Sequence, residues 1–281
     1  MKKLLLTSLI LAASQVYAHD VWVITPTHAP AGEALAAELG YSHIYPLPEK
    51  IAENRLHIFK DPMSIVGADG TKFSLSQNGE NYQFKSDKAL PADTYRVSAQ
   101  YRPTFWVEKA DGKWAQATLK EHPDAKHCEQ TQMFGKSIVH VGNKAFNQQA
   151  AATPVGQELE IVPLANPNQI AAGALLPLQI LYQGKPLAKA TVVATADTVL
   201  VKDVAAQHDH RDINGYSAKT DKEGKVNFLP LIEGQWKVKV IHETPFADSS
   251  VCHKSTLYST LIVPVGKERA KAHAHHHHHH H

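Results

Sequence analysis

The chain is poor in the residues that usually announce a chemistry. Only two cysteines and three methionines occur in 281 residues, and one methionine is the initiator, so a methionine-rich copper(I) site has no material to form. There is no G-x-S-x-G elbow, no H-E-x-x-H, no P-loop and no dinucleotide-binding glycine pattern. An enzyme is therefore not expected. Beyond the N-terminal region no segment is long and apolar enough to span a bilayer, and no direct membrane insertion is expected of the mature chain. Nor is there a sustained 3.6-residue periodicity, which excludes a helical bundle. Excess charge is missing too. Lys and Arg number 29 against 27 Asp and Glu, and the surplus equals Lys2 and Lys3 of the leader. A balanced mature chain has no electrostatic case for nucleic acid or for an anionic membrane surface.

What is present begins with that leader. Lys2 and Lys3 precede an apolar run, residues 4–13, followed by a short polar stretch ending Val16-Tyr17-Ala18. This is the layout of a secretory signal over residues 1–18, with small residues where signal peptidase needs them. Cleavage would expose His19-Asp20-Val21-Trp22 as a new amino terminus in the periplasm. In that oxidising compartment Cys128 and Cys252 are expected to pair. Their bridge would close a long loop, which the chain-entropy model values at about 4 to 5 kcal/mol. The competing reading makes His127-Cys128 and Cys252-His253 metal ligands. Neighbouring residues on a strand point to opposite faces, so each pair could then offer only one member to a single site.

Short alternating segments broken by Gly, Pro, Asn and Asp predict an all-β protein of two β-sandwich domains, the second immunoglobulin-like. In the first domain, residues 19–145, strands are expected near 21–24, 35–39, 55–59, 81–84, 94–101 and 105–108. Turns at Asp69-Gly70, Asn78-Gly79 and Asp111-Gly112 separate them. Residues 146–155, rich in Gln, Ala and Asn, read as a linker. In the second domain, 156–266, the turns Gln183-Gly184-Lys185-Pro186 and Asp221-Lys222-Glu223-Gly224 lie among alternating runs, the strictest being 234–240. Residues 267–281 form a His-rich tail, either an affinity tag or a native metal buffer.

Outside that tail, histidines stand at 19, 28, 43, 57, 122, 127, 140, 208, 210, 242 and 253. Imidazole suits nickel, copper, zinc and iron. His19 has the sharpest claim, because cleavage would give it two nitrogen donors, the α-amine and the ring, able to close one chelate ring on a metal. An α-amine with a pKa near ~7.7–8.0 loses its proton readily to a competing metal. The terminal motif with His in third place is absent, since that position is Val21. His43 is its best partner, in Gly40-Tyr41-Ser42-His43-Ile44-Tyr45-Pro46, where aromatic and proline residues flank a polar position at a strand end. Packing alone would explain His43 about as well. His208 and His210 flank Asp209 in a polar loop, and their i, i+2 spacing lets both rings face one side if the loop is extended. A solvated loop with no fixed ligand is the alternative. His57, on the run 56–59, is expected to face solvent.

These features together resemble a family of periplasmic proteins, long catalogued as a domain of unknown function, that accompany nickel and cobalt uptake systems, the NikK-like components beside energy-coupling-factor transporters. The resemblance is carried by the leader ending at Ala18, the mature start at His19, the Tyr41 to Pro46 segment, Gly184-Lys185-Pro186-Leu187 and Thr220-Asp221-Lys222-Glu223-Gly224-Lys225. It implies a two-domain β protein that captures Ni(2+), or Co(2+), and presents it to a membrane transporter component. By position, only His19 and the His43 segment match the family's pattern as ligands, and the His208 to His210 loop departs from it. Two other functions compete. A periplasmic copper-handling protein could use the same donors for Cu(2+), and Zn(2+) also suits them, whereas a structural or adhesive sandwich would bind no metal once the tail is removed.

Overall fold

The computed structural model describes residues 19–200 and 215–266, and it is an all-β protein. In chain order the strands are β1 (Asp20–Ile24), β2 (His28–Ala29), β3 (Ala36–Ser42), β4 (Met63–Val66), β5 (Lys72–Gln77), β6 (Gln83–Ser86), β7 (Asp93–Glu108), β8 (Trp114–Ala115) and β9 (His127–Val141). There follow β10 (Leu159–Pro163), β11 (Leu176–Tyr182), β12 (Lys185–Pro186), β13 (Thr191–Ala196), β14 (Tyr216–Lys219), β15 (Lys225–Phe228), β16 (Gly234–Pro245) and β17 (Lys254–Val265). One sheet of 13 strands runs β1-β3-β6-β5-β4-β7-β9-β17-β16-β13-β14, with β2 beside β9 and β8 beside β7. A second sheet of four strands contains β10, β11, β12 and β15.

Two hydrophobic cores share the middle of the large sheet. Along β17 the side chains alternate with the period of two that a strand imposes. Tyr258 enters the first core with Val21, Val23, Tyr41, Tyr101 and Met133, while Leu257, Leu261 and Val263 enter the second. The second core is closed by the small sheet through Leu159, Ile161, Leu178, Ile180 and Phe228, which is a two-sheet sandwich. The halves are also bonded edge to edge, because β9 of the first pairs in parallel with β17 of the second, from Glu129↔Lys254 to Lys136↔Leu261.

Within residues 146–155, the expected linker, Ala150 and Ala151 are buried while Asn147, Gln149, Thr153 and Pro154 are exposed. The segment contains a one-turn helix, Gln148–Ala151, whose start is capped by Asn147 Oδ1 accepting from the Ala150 N–H. The buried Arg96 guanidinium donates to the carbonyls of Thr153 and Gly67 at 2.8 and 2.7 Å, which ties the segment to β7.

The strand expected over residues 55–59 is instead a 3₁₀ helix, Glu53–Phe59. Ile58 and Phe59 are both buried although they are adjacent, which an extended strand with one solvent face does not allow. Three residues per turn also put Arg55 and Ile58 on one side of the helix, so Arg55 turns inward where an alternating strand would have sent it elsewhere.

The Cys128–Cys252 disulfide is formed across 124 residues, joining the start of β9 to the loop before β17. Both sulfurs are thereby removed from any metal site, and the His253 Nδ1 accepts from the Cys128 N–H at 3.0 Å. Replacing both cysteines by serine should lower unfolding free energy by about 2–4 kcal/mol, read from urea melts of oxidised wild type and variant. An unchanged urea midpoint would show that the sheet alone holds these strands.

Candidate functional site

β1 is fully buried and lies across the face of β9 and β17. The approach is close because β9 carries Gly135 beneath it: a Cβ there would meet Trp22 Cα at 3.1 Å. The Thr260 hydroxyl donates to the Val21 carbonyl at 2.6 Å, and Ser137 bonds the Val23 carbonyl. On its outer side β1 pairs antiparallel with β3, from Asp20↔Ser42 to Ile24↔Glu38. Gly40 gives Trp22 its room, since a Cβ at 40 would fall 2.0 Å from the indole.

Continued by one step, that register sets His19 opposite His43. Their ring centroids are 3.7 Å apart, and the His19 ring also stacks on Tyr41 at 4.4 Å. Each half of the pair is anchored separately. Asp20 is held by Lys237 at 2.6 Å and Lys239 at 3.1 Å, on the face of β1 opposite the His19 ring. After Ser42, its hydroxyl accepts from the Ile44 N–H at 3.0 Å and donates to Glu49 at 3.1 Å. The Tyr45 hydroxyl donates to the Gln235 carbonyl at 2.8 Å. His43 therefore sits on a loop fixed at both ends.

An aromatic bed lies behind the two imidazoles. Tyr41 packs against Phe59 at 4.9 Å and Tyr101 at 5.8 Å. Its hydroxyl accepts from Arg55 Nη1 at 2.6 Å, and the Arg55 guanidinium lies 4.9 Å from the Trp106 ring centre. Trp106 Nε1 donates in turn to the Tyr101 hydroxyl at 2.7 Å. Burial pushes the Tyr41 phenol up, more than the adjacent Arg55 pulls it down, so it is neutral at ordinary pH. Burial raises Tyr101 as well.

Two of the four expected metal ligands are thus in contact. His208 and His210 lie outside the described residues. Among the described residues no three His, Cys, Asp or Glu side chains are grouped as a metal would need. The donor set at this place is two imidazoles, to which the expected cleavage after Ala18 would add the α-amine of His19. Other histidines meet without such a set. His28 and His140 are paired across β2 and β9 at 4.9 Å, with His140 Nε2 bonded to the Lys144 carbonyl. His127 and His253 are 6.3 Å apart beside Glu129. His57 is exposed, and it lines an open groove of about 380 Å³ with Arg102 and Phe105, to which no residue of the His19 site contributes.

Arg55 and the aromatic bed were missed in the sequence. A strand reading over residues 55–59 hid the guanidinium, and the available signal was two adjacent large apolar residues, Ile58 and Phe59, between prolines.

A family model described as a domain of unknown function, DUF4198, matches residues 16–244. The chain belongs to the DUF4198 family. That match starts just before His19 and spans the His19, His43 and Arg55 cluster of this DUF4198 protein. No curated protein matches it in sequence. Among solved structures, a crystal structure of a Salmonella alpha-2-macroglobulin mutant is similar at 13% identity, covering 93% of this chain and 16% of that one, with a TM-score of 0.23. The chain thus spans a small part of that protein, and a score so low carries nothing about fold or function.

Proposed function

We propose that this DUF4198 protein is a non-enzymatic periplasmic carrier that captures nickel, or cobalt, and passes it to a membrane transporter component. The observation that carries the reading is the contact of His19 with His43 at the first residue expected after the leader. One residue then offers an amine and an imidazole, its cross-strand neighbour offers another imidazole, and all three are neutral nitrogen donors of the kind late transition metals prefer. The two tilted imidazole rings would swing about their side-chain torsions to aim nitrogens at one ion, while the backbone positions stay fixed by β1 and β3. His208 and His210 are candidates for additional donors.

Titration calorimetry of Ni(II) into a chain beginning at His19 and ending before His273 should give one site of micromolar or tighter affinity. The site should vanish in His19→Ala and weaken sharply when one extra residue blocks the amine. No binding by the wild-type chain would reduce the protein to a sandwich with incidental histidines. Copper(II) outbinds nickel at most nitrogen sites, so identity is read in cells. Loss of nickel-dependent enzyme activity on deletion supports nickel, and copper sensitivity alone overturns it.

A further inference from the structure

The cluster around His19 contains a cation, Arg55, with no counter-charge among the described residues. Arg55 is half-buried, and the one hydrogen bond of its guanidinium among the described residues goes from Nη1 to the Tyr41 hydroxyl. No carboxylate among them pairs with it. The acids nearby are engaged or turned away: Asp20 bonds Lys237 and Lys239, Glu49 accepts from Ser42, and Glu53 is exposed on the solvent side of the 3₁₀ helix. Guanidinium carries five N–H donors in a planar fork, so most of them have no acceptor among the described residues. The Tyr41 hydroxyl accepts from Arg55, and no described residue accepts the hydroxyl proton in return. Arginine and tyrosine together thus offer donors to an anion, on the same ring that carries the His19 imidazole.

The proposed metal site needs an anion for an independent reason. An amine and two imidazoles bring no negative charge and fill three positions, whereas nickel in nitrogen and oxygen sites takes four to six ligands. A bare divalent ion would also be repelled by Arg55. A metal already carrying a carboxylate chelator loses most of that repulsion and presents oxygens that fit the guanidinium fork.

We propose that Arg55 and Tyr41 form a carboxylate subsite beside the His19 and His43 pair, so that the protein takes its metal as a complex with a small organic carboxylate. This rests on the metal reading above. The carboxylate completes the ion's coordination on one side and is held by Arg55 and Tyr41 on the other.

Citrate is the probe. The processed chain without its tail is equilibrated by dialysis with Ni(II), with radiolabelled citrate, and with both, and retained metal and label are counted. The expected result is one nickel and one citrate held together, with citrate retained only when nickel is present. In Arg55→Gln the ratio of nickel affinity with citrate to that without should fall by about tenfold or more, since a charge-assisted pair is lost. Arg55→Lys, which keeps charge without the fork, should fall between. Thermal melts of each variant check that it is folded. Nickel bound without label, in a way that needs His19, would overturn the carboxylate subsite and leave the metal site standing. No nickel retained with or without citrate would overturn both. Citrate retained equally without metal would also overturn the proposal, because the two ligands would then be uncoupled.

Discussion

Exchanging Glu160 for glutamine should destabilise the protein by about 3–5 kcal/mol at neutral pH, as breaking a buried ion pair does elsewhere. Glu160 Oε2 accepts from Lys136 Nζ at 2.7 Å and from the Val155 N–H at 2.8 Å, and Oε1 accepts from the N–H groups of Gly156 and Gln157 at 3.0 Å. Both side chains are about 1% exposed. A glutamine of the same shape must aim its NH₂ at donors, and it leaves the Lys136 ammonium without a partner charge. Burial already pulls Lys136 below its usual range, against the opposing attraction of Glu160. Without Glu160 it falls further. A lysine whose folded pKa lies below the unfolded one binds more protons when unfolded, so stability rises with pH across the interval between them. The deficit of Glu160→Gln should therefore shrink between pH 7 and about 9.5, approaching the unfolded lysine value of ~10.4, in urea melts. A deficit equal at both pH values would place the loss in the three backbone donors instead of the orphaned charge.

That ion pair also shows what the sequence could and could not convey. Strand alternation made β11, β13, β16 and most of β7 legible, because each has one face in a core and a period of two follows. The disulfide was legible from the count of two cysteines and the compartment expected from the leader. Lys136 and Glu160 were not, since a charged residue on an alternating strand reads as its solvent face, and only the stacking of a second sheet on β9 turns that face inward. The same holds for Asp20, Lys237 and Lys239. The run Trp236-Lys237-Val238-Lys239-Val240 alternates as though its lysines met water, yet β1 covers them. Long-range coverage of that kind leaves no local periodicity to read. His19 and His43 were singled out for their nitrogen donors and neighbours, and their contact depends on a register that Gly40 and Gly135 permit by their lack of a side chain.

The register has an electrostatic anchor, which makes Asp20→Asn the most informative change near the site. Asp20 is 4% exposed and Lys237 2%, and the Lys237 ammonium also lies 5.2 Å from the Trp22 ring centre and 5.1 Å from that of Tyr45. Burial alone would raise the Asp20 carboxyl, but Lys237 and Lys239 outweigh it and hold the group well below the usual carboxylate range. A carboxyl with a depressed folded pKa contributes stability that is complete above the unfolded value of ~3.9 and is lost as pH falls below it. Wild type should accordingly lose stability steeply below about pH 4, and Asp20→Asn should have a flatter acid limb. At pH 7 the variant should be less stable by about 3–5 kcal/mol, because two ammonium groups lose the carboxylate they share in a buried place. Asp20 is next to His19 yet faces away from its ring, so it would position the pair without touching the proposed metal. Nickel affinity should therefore fall in the folded variant, while added carboxylate still strengthens binding through Arg55. A variant with the wild-type acid limb would show that the lysines do not govern this carboxyl. Unaltered nickel affinity would show that β3 alone sets the distance between His19 and His43.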